Sequence, residues 1–124
     1  MAKGVSPTAR SLKWLRDKGF TAQVVERYNP FAYKRIDLFN CIDIVAIHPE
    51  LQGVSGVQST TSAHLADHVK KSIAVPALKL WLIAGNSFMV QVWRKNAKNR
   101  WVSKERVIKL EDLIDTPKKK EGDL

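Results

Sequence analysis

This chain is poor in cysteine, in long apolar runs and in acidic charge, and each shortage removes a class of protein. Cys41 is the only cysteine in 124 residues, so no internal disulfide and no cysteine-based zinc site can form. It falls in an apolar stretch and reads as a small core residue. No segment approaches the roughly 20 apolar residues of a membrane-crossing helix, and no apolar run follows Lys3 as in a secretory leader. The expected location is therefore the cytoplasm. A glycine-rich phosphate loop and a serine or cysteine nucleophile elbow are also missing. Acid is the scarcer charge, with 12 Asp and Glu against 21 Lys and Arg, a net charge of +9. That excess favours a polyanionic partner, nucleic acid before a membrane surface, since no strongly amphipathic basic helix is evident. The plainer alternative is that the lysines only keep a small protein soluble.

What is present reads as one domain over residues 1–114, followed by a basic tail, 115–124, expected to be disordered. Ser6 is a good N-cap with Pro7 at the first helical position, and Ala9, Leu12 and Leu15 form one stripe. Gly19 suits a left-handed close, with Phe20 folding back on Leu15. Thr21 to Glu26 predicts a strand, residues 29–36 a loop, and Cys41 to Ile47 a second strand apolar enough for burial on both faces. His48-Pro49-Glu50 turns the chain into a third strand over Val54 to Thr60. Ser62 can cap a helix bearing Leu65, Val69 and Ile73, and Pro76 can open another through Ala84. Ser87 to Arg94 alternates as a strand, with Trp101 to Leu110 its hairpin partner across Asn96–Asn99. The class is α/β (α+β): a central mixed sheet flanked by helices, in the order α-β-β-β-α-(α)-β-β.

The chemistry centres on Asp43, an acid inside an apolar strand. Burying its carboxylate among Ile42, Ile44, Val45 and Ile47 costs several kcal/mol unless it is paired or binds a cation. If the second and third strands pair, Asp43, Gln58 and Thr60 converge at one end of the sheet. A carboxylate and an amide oxygen are hard ligands suited to Mg²⁺ or Mn²⁺, and Glu26 could add another oxygen from the first strand. The alternative is a buried hydrogen bond from Asp43 to nearby backbone or to Arg35.

The pattern Arg35-x-Asp37-Leu-Phe39-x-x-x-Asp43-Ile-Val-Ala-Ile47, followed by Gly56-Val-Gln58-x-Thr60, resembles the core of the PD-(D/E)XK nuclease superfamily. More closely it is similar to small phage-encoded members and to Holliday junction resolvase and VRR-NUC-like domains. The resemblance covers roughly residues 6–94 and implies a restriction-endonuclease-like core. It also implies a metal-dependent DNA endonuclease or junction resolvase acting on branched or duplex DNA, as a possible homodimer, in the host cytoplasm if phage-encoded. The motif aspartate falls at Asp43 and the (D/E)-x-K tripeptide at Gln58-Ser59-Thr60. Thr60 departs from the pattern, because a hydroxyl cannot replace an ammonium. The resemblance allows a lysine from the next helix, Lys70 or Lys71, to stand in, and the alternative for both is a solvated face. The implied catalytic set is Glu26, Asp43, Gln58, Thr60 and Lys71, with Asp43, Gln58 and Glu26 holding the metal.

His64 and His68, four apart on the second helix, lack a third ligand in sequence, so a solvent-facing or phosphate-touching pair is expected before a transition-metal site. From Arg94 to Lys109 there are seven basic residues against Glu105 alone. Arg94, Lys95, Lys98, Arg100 and Trp101, with Arg35 and Lys70, are the expected nucleic-acid contacts. Against that, Trp93 and Trp101 could pack as a cross-strand pair with the charges merely solvated. Tyr28, Phe31 and Tyr33 beside Lys34 and Arg35 repeat the basic-aromatic pattern near the acids. Besides the nuclease, a catalytically inactive DNA-binding domain on the same scaffold and an interaction or inhibitor protein remain open.

Overall fold

A computed structural model describes residues 5–61 and 65–114, the side chains of Arg35 and Ile114 excepted. The expected cap of the second helix at Ser62, His64 of the histidine pair and the tail 115–124 lie outside the described residues.

The first helix, α1 (Pro7–Asp17), begins as its sequence requires, with Ser6 Oγ accepting from Ala9 N–H at 3.1 Å. It ends where Gly19 adopts φ +94° and Phe20 N–H returns to Leu15 O at 3.0 Å. Five strands then form one mixed sheet: β1 (Thr21–Val24), β4 (Ile44–Ile47), β5 (Ser55–Thr61), β6 (Ser87–Lys95) and β7 (Trp101–Ile108), in the order β1-β4-β5-β6-β7. Only β5 and β6 run parallel. Parallel neighbours need a long crossover, and α2 (Leu65–Ile73) and α3 (Pro76–Ile83) supply it. A short helix, α4 (Leu110–Ile114), follows the last strand.

Strand alternation divides the core into two layers. Phe88, Val90 and Val92 of β6 meet Leu65, Val69 and Ile73 of α2 and Leu78 of α3. Ile44, Ala46 and Val57 meet Leu12, Trp14 and Leu15 of α1 on the other side. The sheet is thus flanked by helices, as the sequence pattern requires. Cys41 is fully buried in the first layer; burial, then the charges of Asp37 and Asp43, push its thiol up to about 11.

Three boundaries correct the sequence reading. The expected loop 29–36 carries its own small hairpin, β2 (Arg27–Asn29) with β3 (Lys34–Ile36). Its strands are too short for alternation to register, and Asn29 builds the turn by accepting from Phe31 N–H and Ala32 N–H. The second core strand begins at Ile44, not Cys41. Phe39 and Asn40 take left-handed backbone (φ +53° and +63°), and Leu38 and Ile42 exchange backbone hydrogen bonds at 2.9 Å, closing a tight turn. The first strand stops at Val24, since the N–H groups of Val25 and Glu26 both turn onto Asp43 O, at 2.8 and 3.2 Å. Burial of the second strand is complete at Ile44 and Ala46, partial at Val45 and lost at Ile47, which stands at the end of the ladder.

Candidate metal centre

Backbone bonding brings the acids together. Asp43 N–H donates to Val57 O at 2.9 Å, and Asp43 O accepts from Val25 and Glu26 N–H. That forked acceptance pins Glu26 beside Asp43. Asp37 arrives from the other direction, at the start of the tight turn, where its carbonyl accepts from Asn40 N–H at 3.0 Å. Carboxylate oxygens of Glu26, Asp37 and Asp43 lie within 4.8 Å of one another. Asp37 was part of the sequence motif, yet no ligand role was expected of it. The signal available was an acid between Ile36 and Leu38, six positions before Asp43, with Asn40 as a turn former between them.

Asp43 is buried, and its Oδ2 accepts from Ser59 N–H at 2.9 Å. Burial raises its pKa most, then a hydrogen bond shared with Asp37 and the charges of Asp37 and Glu26. The Ser59 N–H opposes them, and the group stands at about 8. So at neutral pH, without a cation, the site holds a proton on this carboxyl. The buried bond to nearby backbone considered from sequence is present, with Ser59 N–H as its donor, and a shared acid cluster is added to it.

A cleft of about 280 Å³ opens beside the acids, lined by Lys34, Ile36, Asp37, Asn40 and Lys71. Lys71 is therefore at the site, while Lys70 is exposed in the last turn of α2 and outside that lining. Gln58 is buried on β5, and its Oε1 accepts from Ser72 Oγ at 3.1 Å and lies 3.2 Å from His68 Nδ1. Its amide oxygen is thus tied to α2. Thr60 is buried and its hydroxyl donates to Thr61 O at 3.4 Å, a weak bond. The structure joins Glu26 and Asp43 with Asp37, and gives Gln58 and Thr60 other partners.

The basic hairpin of β6 and β7 treats its two tryptophans differently. Trp93 is buried, with its indole N–H donating to Ser11 Oγ at 2.9 Å. Trp101 is partly exposed, with the Arg10 guanidinium 4.3 Å and Lys95 Nζ 5.6 Å from its ring centre. The register sets Trp93 opposite Ser103 and Trp101 opposite Lys95, so the two tryptophans are diagonal neighbours, not a directly opposed pair, and both line one shallow cleft with Arg10. Arg94, Lys95, Lys98 and Arg100 are all exposed. Asn96 Oδ1 fixes the turn by accepting from Lys98 and Arg100 N–H. Arg10, on α1, joins this surface without any sequence signal.

Among the described residues no helix is long and apolar enough to cross a membrane. The fold and the site define an α+β protein with a five-stranded mixed sheet and a three-carboxylate cluster where β1 ends and β4 begins. No protein-family model matches the chain, and no curated protein or solved structure matches it either. The chemistry of the donor set suits a hard divalent cation: three carboxylates in a partly desolvated site repel one another, and an ion of charge +2 relieves that repulsion.

Proposed function

We propose that this chain is a Mg²⁺- or Mn²⁺-dependent DNA endonuclease or junction resolvase of the PD-(D/E)XK type, phage-encoded and acting in the host cytoplasm. The observation that carries this reading is the convergence of Glu26, Asp37 and Asp43 within 4.8 Å at a cleft bordered by Lys34 and Lys71. The element order, helix, core strands, crossover helices, strand, agrees with the order the resemblance implies and supports it.

Asp43, Asp37 and Glu26 would hold the cation. When bound, it supplies charge neutralisation of a phosphodiester and a lowered pKa for an attacking water. Lys34 and Lys71 bring positive charge to the phosphate in the cleft, and Lys71 takes the part that Thr60 cannot. Gln58 acts as a positioning residue. Its bond to Ser72 registers α2 against β5 and so places Lys71, the neighbour of Ser72. The Asp43 carboxylate would be one of the ligands, and Ser59 N–H, which donates to its Oδ2, would steady it in the charged form.

The second reading, a catalytically inactive DNA-binding domain on the same scaffold, draws support from Thr60 and from the engagement of the Gln58 oxygen by Ser72. One experiment separates the two. The protein and Asp43→Ala are incubated with branched, single-stranded and duplex DNA in Mg²⁺ or Mn²⁺. Cutting by the parent that is lost in the variant is the expected result. Salt-sensitive binding without cutting selects the inactive domain, and no binding at all selects an interaction protein. Sedimentation of the same samples tests whether the working form is the homodimer the resemblance implies.

A further inference from the structure

The β2–β3 hairpin carries the most exposed aromatic side chains of the described residues: Phe31 at 93%, Tyr33 at 82% and Tyr28 at 54%. Scattered apolar residues on a surface need no explanation, but three rings on one short hairpin do. This finger is rooted at the acids. Glu26 immediately precedes its first residue, Arg27, and Asp37 immediately follows its last, Ile36. Its tip is held by its own chemistry, with Asn29 Oδ1 accepting from Phe31 N–H at 2.9 Å and Ala32 N–H at 3.3 Å. A turn closed in this way presents its side chains from a pre-ordered backbone, which lowers the entropy cost of binding.

Two concavities meet at the root of the finger. One, of about 250 Å³, is lined by Arg27, Tyr28, Asn29, Pro30, Phe31 and Ile36. The other is the charged cleft at the acids, and Ile36 is a wall of both. The first is aromatic and carries one guanidinium; the second carries Lys34, Lys71 and a carboxylate. Their sequence is that of a nucleotide, an aromatic ring beside an anionic phosphate. At about 250 Å³ the aromatic cleft is smaller than the roughly 300–1,000 Å³ of drug-sized pockets, so it suits one ring system. Bases within a continuous duplex are stacked and offer no face to Phe31 or Tyr28, whereas an unpaired base offers both. The net charge of +9 directs the surface to a polyanion rather than to an apolar protein.

We propose that the β2–β3 finger takes up an unstacked base of single-stranded DNA, from the nucleotide next to the phosphate held at Glu26, Asp37 and Asp43. The chain thereby selects DNA with an unpaired nucleotide over continuous duplex. This rests on the reading of the acids as a phosphate site, but its test needs no cutting.

In Ca²⁺, a cation of oxygen ligands that can occupy the acids, the affinities of the parent and of Tyr28→Ala/Phe31→Ala are measured for a single strand, a duplex with an overhang and a blunt duplex. Both side chains are exposed, so thermal melting should be unchanged. The double variant should bind the single strand and the overhang about tenfold or more weaker. Its affinity for blunt duplex should stay within about twofold. Tyr28→Phe/Phe31→Tyr, which keeps both rings, should restore the parent affinity. Fluorescence of 2-aminopurine in the overhang should change on binding the parent and not the double alanine variant. Equal losses on all three DNAs overturn the proposal, as does unchanged affinity or no binding of any DNA. Finger-dependent self-association with DNA binding unaffected overturns it too. Failure of cutting in Mg²⁺ with these affinities intact sinks the nuclease reading alone.

Discussion

At the root of β4 three carboxylates are crowded within 4.8 Å of one another, and one of them, Asp43, is buried. In the β6–β7 hairpin and just beyond it, the seven basic residues from Arg94 to Lys109 are all exposed. Both regions concentrate charge of one sign, yet the physical consequences differ. Exposed cations are screened over roughly 10 Å by ordinary salt, so their accumulation costs the fold little. Asp43, buried beside two half-buried acids, is screened much less, and the fold responds by raising its pKa to about 8. Among the described residues the one ion pair within 4 Å is Lys13–Asp17 on α1, so neither cluster is neutralised by a salt bridge there. The acidic cluster therefore has the form of a site for a single cation, whereas the basic hairpin spreads its charge into solvent.

The contrast is tested most severely at Asp43. Asp43→Asn should reduce cutting to background while leaving the metal-free protein folded, with stability at pH 9 raised by a few kcal/mol as a buried charge is removed. Loss of folding in that variant would show the acid to be structural and erase the difference between the two regions. Nicking assays beside urea titrations read both quantities.

The metal-free parent should also lose stability as pH rises. The folded pKa of Asp43 is raised from 3.8 to about 8, so between these values the folded state binds more protons than the unfolded state. The contribution is thus fully present below about pH 4 and lost as pH climbs through 8, with a slope of at most about 1.4 kcal/mol per unit. Asp43→Asn should flatten the curve.

Adding Mn²⁺ at about 100 times its dissociation constant should stabilise the parent by about 2.7 kcal/mol near neutral pH. Asp37→Asn should remove most of that shift and EDTA should reverse it, as thermal melts would record. An equal Mn²⁺ effect in Asp37→Asn would exclude this acid from the site.

The hairpin should behave oppositely. Lys98→Ala/Arg100→Ala should leave melting within about 0.5 kcal/mol, weaken DNA binding, and lower the slope of log affinity against log salt by roughly 2 if each contacts a phosphate. Salt titrations that retain the parent slope would remove these two residues from the interface. Smallest of all, Arg10→Ala should cost about 0.5–1 kcal/mol through its lost contact with Trp101, a partly exposed ring.

Much of the architecture was legible in the chain because it is locally encoded. Ser6-Pro7 starts α1, Gly19 ends it, and Leu65, Val69 and Ile73 declare the buried stripe of α2. Phe88, Val90 and Val92 mark one face of β6. The finger escaped because three-residue strands are too short to show a period, and the start of β4 was misjudged because Cys41 and Ile42 are buried in a turn rather than a strand. At the site, Asp43 could be singled out by its apolar setting alone. Asp37 carried a weaker mark, an acid between Ile36 and Leu38 six positions earlier, and nothing local says that it meets Asp43. Gln58 was expected to face a metal, and its oxygen also accepts from the Ser72 hydroxyl on α2, the element that follows β5, a contact that no local pattern records.

The order of residues by itself determined the layered α+β plan, the excess of positive charge and the unusual cost of one buried acid, because burial periodicity and composition act over a few neighbours at a time. Only the tertiary structure decided which groups stand beside that acid. Glu26 reaches it through a forked pair of backbone bonds, Asp37 through two left-handed residues in a turn, and Lys71 through the crossover of α2. Such meetings depend on register and on loop closure between distant segments, and no local pattern records those.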